Sequence, residues 1–130
     1  MGENLDTLKQ GYEDFNKGDI ESASEPWSDS IVWDGPGSDD LPGGGVHEGK
    51  EAFLETLQKA VGAWDEFDLS ADEFLEEGDT IVVLGHNNVK KGDQCAELPV
   101  VHIWRFEDGK ATRLQLLTDT YRSAQLLGIV

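Results

Sequence analysis

Basic residues are scarce: ten Lys and Arg stand against 27 Asp and Glu in 130 residues, a formal charge of −17. With a pI near 4.2, the chain offers no positive footprint for phosphate backbones or anionic headgroups, which excludes nucleic acid and membrane surfaces as partners. Cysteine is nearly absent. Cys95 alone cannot close an internal disulfide, and MGENLDTLKQ at the start has neither a basic nor an apolar leader-like region, so the chain reads as cytoplasmic. Long apolar runs are missing too. The longest, Ile81 to Leu84, falls far short of the ~20 residues that span a bilayer.

Motifs for metals and phosphates are likewise missing. His47-Glu48 continues as HEGKE instead of H-E-x-x-H, Gly43 to Gly45 lacks the Lys and Ser/Thr of a phosphate loop, and no G-x-S-x-G elbow occurs. No metal site and no cofactor is implied. What the chain does have is aromatic bulk: four Trp, five Phe and two Tyr, enough for a packed core at the size of one domain.

Apolar residues at Leu5, Leu8, Tyr12 and Phe15 recur at helical spacing up to Gly18, and Asp19 caps a short second helix that breaks near Ser24, ahead of Pro26. Ile31 to Trp33 is β-prone. The stretch DGPGSDDLPGGGVHEG then reads as one long loop, rich in Gly and Pro. From Lys50 the positions Phe53, Leu54, Leu57, Ala60, Val61 and Trp64 describe a third helix. Past Asp65 the period becomes two, and turn signals at Glu77-Gly78-Asp79, Lys91-Gly92-Asp93 and Asp108-Gly109 divide the rest into four strands of an antiparallel meander. A short helix from about Arg122 to Leu127 ends at Gly128. The sum is an α+β fold with helices segregated to one face of a curled sheet.

Alternation in LPVVHIWRF points Val100, His102, Trp104 and Phe106 to one side. If the next strand pairs straight on from the Asp108-Gly109 hairpin, then Gln115, Leu117, Asp119 and Tyr121 share that side, and His102 and Asp119 approach each other. An imidazole beside a carboxylate can shuttle a proton near neutral pH; the alternative is that Asp119 caps the last helix and His102 is an ordinary core histidine. His86 and Asn88 share a face of an otherwise apolar strand and are candidates for the polar edge of a pocket. Trp33, Trp64, Trp104 and Tyr12 are large enough to shape a cavity, with Trp33 favoured by its position beside the loop.

FNKGDIESASEPWSDSIVWDGPG, EFLEEGDTIVVLG, VVHIWRFEDGK and LLTDT, in this order and spacing, resemble the SnoaL-like polyketide cyclase group of the nuclear transport factor 2-like superfamily over nearly the whole chain. The resemblance implies a single domain over 1–130, a cone-shaped α+β barrel with N-terminal helices packed in a highly curved antiparallel sheet. It also implies a homodimer joined by sheet faces and a pocket for a small apolar molecule. Asp119 matches the acid/base aspartate of such cyclases and the last-strand aspartate of limonene-type epoxide hydrolases; His102 matches the pocket histidine common in the cyclase-like members. Leu117 and His86 would join Trp33, Tyr12, Trp64 and Trp104 around the substrate. Departures are visible as well. The tyrosine and base aspartate of ketosteroid isomerase fall on Gly11 and Gly35, VVLGHNNVKK holds no Arg-x-Asp pair, and Pro26 interrupts a helix that relatives continue. The expectation is an isomerase, cyclase or related enzyme acting on a small carbonyl-bearing or cyclic metabolite, with a non-catalytic binding module or an epoxide hydrolase-like enzyme as alternatives.

Overall fold

A computed structural model describes residues 2–130. Helix α1 (Glu3–Asn16) buries Leu8 and Tyr12, with Leu5 and Phe15 partly covered, as the helical spacing requires. Gly18 turns the chain at φ +83, where a side chain would be strained, and Asp19 caps α2 (Ile20–Ser24) by accepting from Ser22 N at 3.1 Å. Pro26 follows. Its carbonyl accepts from Ala111 N at 3.0 Å, which hands the chain directly to strand β1 (Trp27–Gly35).

The expected long loop is shorter than its composition suggests. Asp34 and Gly35 belong to β1, and Gly45–Glu48 forms β2, antiparallel to β1 with Trp33 opposite His47. Backbone pairing does not need apolar side chains, so a Gly-rich stretch can still supply an edge strand. Helix α3 (Lys50–Gly62) then packs on β1 and β2, burying Phe53 and Thr56.

Four long strands complete the chain: β3 (Glu66–Glu77), β4 (Thr80–Lys91), β5 (Gln94–Glu107) and β6 (Lys110–Thr118). The three turns fall where Gly78, Gly92 and Asp108-Gly109 predict them. In the last, both residues have positive φ, 51° and 79°, the geometry that matches the twist of a tight hairpin. The six strands form one curved sheet in the order β2-β1-β6-β5-β4-β3. It is not wholly antiparallel, because β1 lies parallel to β6. The final helix, α4 (Thr120–Leu126), starts two residues earlier than the sequence pattern implies.

The core lies between the concave sheet face and the helices. Ile31, Ile81, Val83 and Phe53 are sealed within it, together with Trp27, Trp33, Trp104 and Leu114. No described helix is long and apolar enough to cross a membrane.

Candidate functional site

The helices do not fill the concave face completely. A cavity of about 160 Å³ remains, the size of an apolar cavity known to admit a single aromatic ring, roughly 150 Å³. All four tryptophans line it: Trp27 and Trp33 from β1, Trp64 from the segment after α3, and Trp104 from β5. Phe53 stands at their centre, with ring centroids 4.5 Å from Trp27 and 5.0 Å from Trp33. Leu98, Val100, Leu114 and Leu116 supply the floor.

The segment between β1 and β2 forms part of the wall, where its Pro36, Leu41, Pro42 and Gly43 border the cavity. Trp33 Nε1 donates to Gly43 O at 2.7 Å, which ties this segment down onto β1. Gly35 makes that possible. A Cβ there would lie 1.8 Å from Gly43 O and 2.7 Å from Trp33 Nε1, so only glycine lets the backbones approach.

One ordered polar chain crosses the apolar lining. Trp104 Nε1 donates to Tyr12 Oη at 2.9 Å, and Tyr12 Oη lies 2.6 Å from His102 Nδ1. Indole is a donor only, so the tyrosine oxygen accepts from Trp104. The proton of Tyr12 has no acceptor other than His102 Nδ1 among the described residues, which favours donation to that nitrogen. Burial keeps both groups neutral. It lowers the His102 pKa to about 4, keeping the ring neutral, and raises that of Tyr12 above its ordinary value, against a smaller opposing effect of the Trp104 hydrogen bond. In the tautomer this favours, the imidazole proton sits on Nε2, which has no hydrogen-bond partner among the described residues.

The expected meeting of His102 and Asp119 does not occur. Pairing runs from Glu107↔Lys110 and Phe106↔Ala111 to Arg105↔Arg113, leaving Thr112 as an extra residue in β6. That bulge shifts the register by one, and a shift of one exchanges the two faces of a strand. Leu116 thus stands opposite His102, with Leu114 and Leu116 inside, while Gln115 and Leu117 belong to the outer side. Leu117 borders the cavity but is itself 46% exposed. Asp119 is exposed at the N-terminus of α4 and accepts from Arg122 N at 2.9 Å. It is a helix cap, not a cavity residue.

His86 is also displaced from the expected site. Ile81 and Val83 point inward on β4, so the alternation carries Asn87 inward and His86 outward, where its Nδ1 pairs with Asp72 Oδ2 at 2.9 Å. Asn88 shares the outward parity of His86. Asn87, overlooked among the candidates, lines the cavity; the inward parity of Ile81 and Val83 is the signal that identifies it. Tyr12, Trp33, Trp64, Trp104 and His102 are all brought together. No Asp, Glu, Lys or Arg lines the cavity among the described residues, despite the acidity of the chain.

Residues 8–114 match the SnoaL-like domain. The chain belongs to the SnoaL-like family. Among solved structures, a nuclear transport factor 2-like protein of unknown function from Burkholderia pseudomallei is 31% identical, with 98% of each chain covered and a TM-score of 0.86. TerC, crystallised with polyporic acid, is 28% identical, with 97% of this chain and 98% of TerC covered and a TM-score of 0.84. A protein of unknown function with a cystatin-like fold from Xanthomonas campestris shares the fold at 21% identity, covering 95% of this chain and 96% of its own with a TM-score of 0.82. No curated protein matches the sequence.

Proposed function

We propose that this SnoaL-like chain binds a small, uncharged, mainly apolar molecule and presents His102 Nε2–H to one of its oxygens. The observation that carries the reading is the hydrogen-bonded chain Trp104–Tyr12–His102, which, with Tyr12 donating to His102, leaves Nε2–H free in a cavity lined mainly by aromatic and aliphatic groups. An ionised ligand would lose its hydration with no opposite charge to compensate, so a neutral carbonyl-bearing or cyclic compound fits best. The co-crystallisation of TerC with polyporic acid is in keeping with a small organic occupant.

A catalytic version of this reading rests on the same donor. A neutral imidazole fixed by Tyr12 can stabilise negative charge developing on a carbonyl oxygen. Proton abstraction by Asp119 has no support, because that carboxylate is exposed and engaged with the backbone of α4. Binding is therefore the primary reading.

The outer sheet face supports a homodimer. Leu75, Val82, Leu84, Val101, Ile103 and Leu117 form adjacent cross-strand pairs there, with Leu75 and Leu117 48% and 46% exposed. Such an apolar patch on a highly charged chain favours a second copy over solvent.

Acetophenone and ethylbenzene, titrated into wild type and His102→Phe while tryptophan emission is followed, test the binding reading. Saturable quenching is expected, with acetophenone bound several-fold tighter than ethylbenzene only in wild type. Absence of saturable binding of either compound, or a ketone preference that survives in His102→Phe, would overturn it.

A further inference from the structure

Asn87 borders the cavity with only one end of its amide available. Its Oδ1 is sealed off and accepts no hydrogen bond within the protein, whereas Nδ2, also without a partner among the described residues, is not sealed. This half-buried side chain therefore offers N–H protons and no acceptor. Turning the amide over would seal two protons in place of one oxygen. An unpaired oxygen still costs stability, and a leucine of nearly the same shape would fill the position without that cost. Asn87 gains only if Nδ2 finds an acceptor. Its cross-strand neighbours Leu69 and Leu98 are apolar, a poor setting for an ordered water, which takes two to four polar partners.

The other unengaged donor is His102 Nε2–H. Asn87 pairs with Leu98, and His102 lies four residues further along β5, about 13 Å along the strand and one strand spacing of about 4.8 Å across it. Side chains that stand perpendicular to the sheet keep this separation, and the concave curvature brings their tips somewhat closer. With about 2.9 Å for each hydrogen bond, two acceptor oxygens held by the pair stand roughly 7–8 Å apart. That is the span of one benzene ring with a carbonyl group at each end.

We infer that Asn87 Nδ2 is a second donor to the bound molecule, so that the ligand carries two acceptor oxygens on opposite sides of an apolar body, one held by His102 and the other by Asn87. This rests on the ligand-binding reading above and narrows it to an uncharged dicarbonyl or similar double acceptor. A ligand with one acceptor leaves Nδ2 unpaired in an apolar surrounding, which is the basis of the discrimination.

Three probes of nearly equal shape isolate the contact: 1,4-diacetylbenzene, 4-ethylacetophenone and 1,4-diethylbenzene, which replace the carbonyl groups one at a time by methylene. NMR titration of wild type is expected to show 1,4-diacetylbenzene bound about tenfold more tightly than 4-ethylacetophenone, the value of one buried hydrogen bond, and the side-chain amide signal of Asn87 should move with the diketone alone. In Asn87→Leu the two ketones should bind within about threefold of each other, with 4-ethylacetophenone held as in wild type. Equal affinity of wild type for the two ketones overturns the inference, needs no variant, and leaves the pocket reading standing if 1,4-diethylbenzene binds more weakly than both. A diketone preference that persists in Asn87→Leu overturns it as well. So does tighter binding of 4-aminoacetophenone than of 1,4-diacetylbenzene, since the amide would then be presenting its oxygen. If none of the probes binds, both readings fall together.

Discussion

The hydroxyl of Tyr12 stands 2.6 Å from Nδ1 of His102, joining the first helix to the fifth strand across ninety positions of sequence. With Trp104 donating to the same oxygen, this contact favours the His102 tautomer protonated on Nε2. The histidine is thereby a donor toward the cavity without being charged.

Removing that hydroxyl strands two groups at once. Tyr12→Phe leaves Trp104 Nε1–H and His102 Nδ1 without partners in a buried setting, at a cost of about 1–3 kcal/mol for each. Urea unfolding should show a loss of about 2–6 kcal/mol, whereas a loss below about 0.5 kcal/mol would contradict the hydrogen-bonded chain.

The protonation of His102 makes stability depend on pH. Its pKa falls from 6.5 to about 4 on folding because burial disfavours the charged ring, so the unfolded chain binds more protons between these values. The contribution is fully present above pH 6.5 and is lost as pH falls toward 4, amounting to about 3 kcal/mol. Carboxylates titrate in the same range, so the informative quantity is wild type minus His102→Gln. That difference should decline across the window; a flat difference would show that the ring is not held neutral.

Asp119 separates capping from catalysis. Asp119→Ala removes the acceptor for Arg122 N and should cost about 1 kcal/mol, while Asp119→Asn, an equally good cap, should be close to neutral. Ligand affinity should not change in either variant by NMR titration. A loss of binding in Asp119→Asn would restore the aspartate to the site.

At Gly35, even one methyl group is too much. Gly35→Ala puts Cβ into the carbonyl of Gly43, so the segment that Trp33 holds must lift away from β1. Thermal melts should show a clear drop, and the variant should no longer discriminate acetophenone from ethylbenzene. Wild-type melting and wild-type discrimination in this variant would refute the close packing.

Dimer formation should respond to both charge and shape. Val101→Glu places a carboxylate amid Leu84 and Leu117 on the outer face and is expected to yield a monomer by light scattering. Two copies at −17 each repel, so added salt should favour the wild-type dimer. A monomeric wild type at all salt concentrations would remove the proposal.

The parts of the fold written in short-range pattern were legible. The stripe of α1, the cap at Asp19, the three strand turns and the inward set of β5 each depend on neighbours a few positions away. Parity on β6 was not legible, since one extra residue at Thr112 moves Leu116 inward and Gln115 outward, and alternation alone cannot register an insertion. Strand β2 was hidden because glycine-rich sequence is equally compatible with loop and edge strand. Asn87 was within reach. Its parity follows from Ile81 and Val83, but polarity drew attention to His86 and Asn88 instead.

The position of β1 in the sheet has a kinetic side. Strands β3 to β6 are joined by consecutive tight hairpins, whereas β1 reaches β6 through pairs such as Trp33 with Leu114, closing a loop of most of the chain. Local hairpins form before such distant contacts. The meander should therefore assemble first, with β1, β2 and the early helices docking onto its free edge afterwards. Only that late docking brings Trp27, Trp33 and Tyr12 against the sheet, so the cavity does not exist in any earlier species. A ligand present during refolding should leave the first phase unchanged and act on the last.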